Sequence, residues 1–99
     1  MTTQNQQPGG EVLNHSAGFK VRLTNHFVRQ RRRRVRRVIA IDYAKLQEVA
    51  RRYKNRDCHA VINQYQVIFN WNSREKELVL ITLLLPGHFL TKPVVRVLL

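Results

Sequence analysis

The chain has 99 residues, with 18 lysines and arginines against 6 aspartates and glutamates, a net charge of +12 and one cysteine. A chain this short supports one domain with a modest core, and its single thiol, Cys58, excludes an internal disulfide framework and fits a reducing, cytoplasmic compartment. Membrane insertion is not expected: the longest apolar run, Leu78 to Leu85 broken by Thr82, falls far short of the roughly 20 residues a spanning helix needs, and MTTQNQQPGGE lacks the basic and apolar regions of a signal peptide.

In chain order, residues 1–16 are rich in Gln, Thr, Asn and Gly and are expected to form a flexible leader, with one domain over residues 17–99. Phe19, Val21 and Leu23 alternate with Lys20, Arg22 and Thr24, the period of a half-buried strand. Thr24 or Asn25 is the expected cap of a basic helix, because a side-chain oxygen there accepts from a first-turn amide. His26 falls in the first turn. The helix then carries seven arginines within the nine residues from Arg29 to Arg37, broken by Val35, while Phe27, Val35 and Ile39 sit close to one helical face. That face distinguishes a packed helix from a disordered basic tail. The boundary stays open, because RVRRVIAI also suits a strand.

Asp42 marks the next helix start, with Ile41 and Leu46 at staple positions, and Tyr43, Leu46, Val49, Ala50 and Tyr53 recur at helical spacing. Arg51, Arg52 and Lys54 suit the negative pole of that helix, and Asn55 its stop. From Cys58 the period becomes two: a strand to Ile62, a turn at Asn63-Gln64, a strand carrying Tyr65, Val67, Phe69 and Trp71, a polar loop, then the apolar LVLITLLL of a central strand. After Pro93, a further edge strand is available. The expected fold is α+β: a strand, two helices, then an antiparallel meander of three to four strands, with both helices packed on one sheet face.

The arginine cluster points to a polyanion, and the expected nucleic-acid face comprises Arg29, Arg31, Arg32, Arg33, Arg34, Arg36 and Arg37 with Arg51, Arg52 and Lys54. Carboxylates are too few and too dispersed to offer an obvious pair for metal-dependent hydrolysis, the histidines lack metal-ligand spacing, and no cofactor or structural metal is expected. RNA cleavage by the neighbouring 2′-hydroxyl needs only proton transfer and positive charge over the phosphorane-like transition state. His26 supplies an imidazole, and Arg29 and Arg33 follow at i+3 and i+7 with guanidinium forks suited to phosphate. These three are the candidate catalytic residues; Tyr65, His88 and Lys92 are weaker candidates. The same cluster equally suits a DNA- or RNA-binding protein without chemistry, such as a small viral or phage factor, or a module that docks on an acidic protein.

Three segments, HFVRQRRRR, YAKLQEVARRYKN and YQVIFNWNSREKELVLITLLLPG, give the chain a resemblance to the RelE/ParE-type toxin superfamily over about 70 residues. The likeness lies more in the order of elements than in any single motif. What it implies is a metal-free endoribonuclease, or in one branch a gyrase poison, held inactive by a cognate antitoxin or immunity protein. Residue by residue it reaches His26 and Arg29, and more weakly Arg33. The chain departs from that pattern in its arginine density and extended C-terminus.

Overall fold

The computed structural model describes residues 10–35, 39–54 and 56–99. Its elements are β1 (Glu11–His15), β2 (Phe19–Leu23), α1 (Asn25–Arg34), α2 (Tyr43–Ala50), β3 (Cys58–Ile62), β4 (Tyr65–Asn72), β5 (Glu77–Leu84) and β6 (Val95–Arg96). All the strands join one six-stranded sheet in the order β1-β2-β5-β4-β3-β6. β3, β4 and β5 are antiparallel neighbours, whereas β2 runs parallel to β5 and β6 parallel to β3.

This corrects the expected architecture of two helices laid on one face of a meander. Among the described residues the sheet is mixed, its strands outnumber two short helices, and the β3–β5 meander is flanked on both sides by parallel pairings, β2 on β5 and β6 on β3, that no meander supplies. The physical reason is that a period of two identifies a strand but not its partner, and a parallel partner is reached only after a long crossover. The leader is corrected over residues 11–15, while its first nine residues lie outside the described residues. Glu11–His15 forms β1 and pairs along the whole of β2, from Glu11 opposite Leu23 to His15 opposite Phe19. Its pattern gave no sign of this, because an edge strand exposed at its three central residues has no apolar alternation to show.

The core takes Phe19, Val21 and Leu23 from β2, Val67, Phe69 and Trp71 from β4, and Leu78, Leu80 and Leu83 from β5. Phe27 and Val28 of α1 and Leu46 and Ala50 of α2 close it. Thr24 caps α1 by accepting from the Phe27 amide at 3.0 Å, and Asp42 caps α2 by accepting from the Lys45 amide at 3.1 Å. The β3–β4 turn places Asn63 and Gln64 at φ 49° and 72°, the left-handed pair that a two-residue hairpin requires. The stop expected at Asn55 lies outside the described residues.

α1 takes the place of a strand along part of β5. The β2–β5 ladder ends at Leu23 opposite Leu80, after which the Thr24 amide donates to Leu80 O and Thr24 Oγ1 to Ile81 O. Farther along, Gln30 Oε1 accepts from the Leu83 amide at 2.9 Å and from the Thr82 hydroxyl, and Arg34 Nη1 donates to Leu83 O at 3.0 Å. Side chains one turn apart on α1 therefore satisfy both backbone groups of Leu83. The helix axis is thereby fixed along the β5 edge.

Candidate nucleic-acid interface

The buried positions of α1 are Phe27, Val28 and Gln30, with Arg31 and Arg34 half-buried beside them. At 100° per residue this leaves Arg29, Arg32 and Arg33 on the outward face, with His26 at its border. The first turn of α1 holds no acidic residue. Three outward guanidiniums at one- to four-residue spacings repel one another, so an approaching polyanion relieves a strain that the helix otherwise carries.

The arginine run divides into two groups. Arg31 pairs with Glu11 of β1 at 3.2 Å, and Arg34 is tied to Leu83 O while its own carbonyl accepts from the Tyr65 hydroxyl at 3.2 Å. Both were expected on the nucleic-acid face; both also hold the fold together, because a helix beside a sheet edge turns some of its cations inward. Arg36 and Arg37 lie outside the described residues. Tyr65 packs against the core and donates to the carbonyl of Arg34, a structural role in holding α1.

On the sheet face opposite Phe69 and Leu80, a pocket of about 250 Å³ opens between the start of α1 and the segment that follows β5. Ile68, Ile81 and Leu84 supply apolar wall, and His26, His88, Lys92 and Asp57 supply polar and charged wall. His26 stands 62 residues before His88 in the chain, yet both line this one hollow, together with Lys92. Arg29 and Arg33 are not among its lining residues; they belong to the neighbouring outer face of α1. Phe89, 86% exposed, stands at the pocket wall. The volume is below the roughly 300–1,000 Å³ usual for whole small ligands.

The pocket wall is braced from behind by Gln66, a residue that sequence reasoning passed over. Gln66 Nε2 donates to Leu85 O and His88 O, each at 2.9 Å, while Gln66 Oε1 lies 2.9 Å from Nε2 of buried His59. The His88 amide closes the turn onto Leu85 O at 3.1 Å. Asp57, also passed over, accepts from Asn70 Nδ2 at 3.0 Å, and its carbonyl receives the Val95 amide at the start of β6. No sequence signal marks either residue, since each acts through chain segments far from it.

Arg51 and Lys54 lie at the far end of α2 and line a second hollow, whereas Arg52 is exposed and lines neither. Among the described residues, no helix is long and apolar enough to cross a membrane. Comparison with known proteins finds no matching family model and no match among curated proteins or solved structures.

Proposed function

We propose that this chain is a small RNA-binding domain that cuts RNA by attack of the neighbouring 2′-hydroxyl, with Arg29, Arg32 and Arg33 holding phosphates and the His26–His88–Lys92 pocket carrying the chemistry. The observation that supports this reading is the shared pocket: two imidazoles and an ammonium, with the Asp57 carboxylate, line one hollow of about 250 Å³ beside an outward row of guanidiniums. One imidazole takes the 2′-hydroxyl proton as the 2′-oxygen bonds to phosphorus. The other protonates the departing 5′-oxygen, leaving a 2′,3′-cyclic phosphate. Lys92 adds positive charge where the phosphorane oxygens gather it. In keeping with the resemblance to RelE/ParE-type toxins, the proposal extends to cytoplasmic action and to restraint by a cognate antitoxin or immunity protein.

A second reading, RNA or DNA binding without cutting, is favoured by one feature. Among the described residues, neither the His26 nor the His88 imidazole has a hydrogen-bonded side chain to orient it, whereas catalytic imidazoles are usually held by such a partner. Labelled RNA incubated in EDTA decides between the two. Cleavage to cyclic phosphate ends, reduced about 100-fold by His26→Ala or His88→Ala with affinity kept within a few-fold, is the expected result. RNA that stays intact for hours yet shifts on a gel leaves only the binding domain.

A further inference from the structure

The second hollow, of about 390 Å³, lies where the carboxyl end of α2 meets the β1–β2 turn and the β4–β5 turn. Arg51 and Lys54 come from the α2 side, Lys76 from the β4–β5 turn, and Phe19 and Trp71 from β2 and β4. Among the described residues, its lining holds three cations and no carboxylate. Of the acids nearby, Glu77 pairs with Arg22 at 2.8 Å and Glu48 with Lys45 at 3.5 Å, while Glu75 stands exposed in the β4–β5 turn beside Lys76.

Three further features make this a built recess. Lys76 sits at φ 51°, its amide donating to Ser73 O at 3.4 Å and its carbonyl accepting from the Lys20 amide at 3.0 Å, so the root of its side chain is fixed on both sides. The end of α2 would ordinarily repel an anion with its unpaired carbonyls. Here Gln47 O, Val49 O and Ala50 O accept from the amides of Arg51, Arg52 and Tyr53, which mutes that pole. Trp71 is held edge-to-face against Phe19, with centroids 6.0 Å apart, and its remaining exposed edge borders the hollow.

We infer that this recess is a nucleotide-binding subsite separate from α1, seating a phosphate among Arg51, Lys54 and Lys76 with the attached nucleoside against the edge of Trp71. The inference rests on the proposed affinity for nucleic acid but not on cleavage, and it gives the protein a second point of purchase on a strand. Phosphate oxygens match the paired donors of Arg51 and the point charges of the two lysines. The edge of Trp71, 9% exposed, offers a nucleoside an apolar contact that a bare anion cannot use.

Trp71 is the only tryptophan in the chain, so its fluorescence reports this recess directly. Adenosine 5′-diphosphate, pyrophosphate and adenosine are each titrated against the full chain in EDTA. Adenosine diphosphate is expected to give a saturable change and adenosine none, with pyrophosphate at least about threefold weaker than the diphosphate. Lys54→Gln with Lys76→Gln should weaken the diphosphate about tenfold or more at an unchanged thermal midpoint. Arg29→Ala, Arg32→Ala and Arg33→Ala together should leave it within about twofold, which separates this recess from the α1 face. No saturable response to the diphosphate, an equal response to adenosine, or full affinity in a folded double-lysine variant would overturn the subsite. Pyrophosphate binding as tightly as the diphosphate would overturn its assignment to nucleotides.

Discussion

Arg34 donates through Nη1 to the carbonyl of Leu83 at 3.0 Å, so one member of the arginine run completes the hydrogen bonding of the β5 edge. Four residues earlier on the helix, Gln30 takes the amide of the same Leu83. A sheet edge left open in this way is otherwise a site of unwanted strand pairing. The helix that presents cations outward is thus anchored by cations and amides turned inward.

Stability and binding should therefore separate along the run. Arg34→Ala removes a charge-assisted bond to a part-buried carbonyl and is expected to cost about 1–2 kcal/mol in urea melts. Arg32→Ala, on the outer face, should stay within about 0.5 kcal/mol of wild type. Replacing Arg29, Arg32 and Arg33 together should lower the slope of log affinity against log salt for single-stranded RNA by about 2. Equal melts for the Arg32 and Arg34 variants would show that the Leu83 bond contributes nothing.

Gln66→Ala tests the brace behind the pocket. It leaves the carbonyls of Leu85 and His88 and a ring nitrogen of buried His59 without this partner. The expected cost is about 1–3 kcal/mol, or a fall of roughly 4–8 °C in melting temperature per kcal/mol for a domain of this size. Amides from Gly87 to Thr91 should exchange faster by more than the global loss of stability accounts for. Uniform acceleration across the sheet would mean that Gln66 supports the whole fold and not this wall.

Much of the local structure was legible because it depends on neighbours in sequence. Thr24 and Asp42 are caps whose partners lie three residues away, and Asn63-Gln64 is a turn that closes on its own hairpin. What was hidden depends on distant partners. β1 shows no alternation, the pairing of β2 with β5 spans more than fifty residues, and Glu77, which reads as part of a solvated loop, begins β5 buried against Arg22. The site divides the same way. His26 stands out at a helix start, and His88 and Lys92 in a loop, but only the folded chain brings these three to one pocket. It also brings Asp57 there, a residue with no motif around it.

Cys58 is fully buried in the core, and burial pushes its thiol above the ordinary value of 9.0, with Asp57 adding to the rise and Arg56 opposing it. The thiolate is the reactive form, so the native protein should react with a thiol reagent at pH 7.5 at least 100-fold more slowly than the urea-unfolded chain. The sign of the linkage follows from the raised value. Below the unfolded pKa, near 9, the thiol is neutral in both states and its stabilising contribution is fully present. As pH rises toward the higher folded value, the unfolded chain ionises first and stability falls. Burial raises Tyr43 in the same direction from 10.0. Urea midpoints should accordingly decline above about pH 9, and labelling of the native thiol as fast as the unfolded one would place Cys58 outside the core.

The β1 strand makes the fold more dependent on its start than composition suggests. Removing residues 1–16 takes away the whole ladder on β2 and the Glu11–Arg31 pair. Val21 and Leu23 of β2 are fully buried and would then lie on a newly opened edge, with one row of backbone donors and acceptors facing solvent. The truncated chain should melt at least about 10 °C lower and associate as its concentration rises, seen as mass growth in light scattering. A chain lacking residues 1–9 keeps every one of those β1 bonds and is the control. Glu11→Gln isolates the ion pair and, being part-exposed, should cost no more than about 1 kcal/mol. A 1–16 deletion with an unchanged midpoint and a monomeric mass would mean that β2 is stabilised by β5 alone and that β1 is an ornament of the sheet edge.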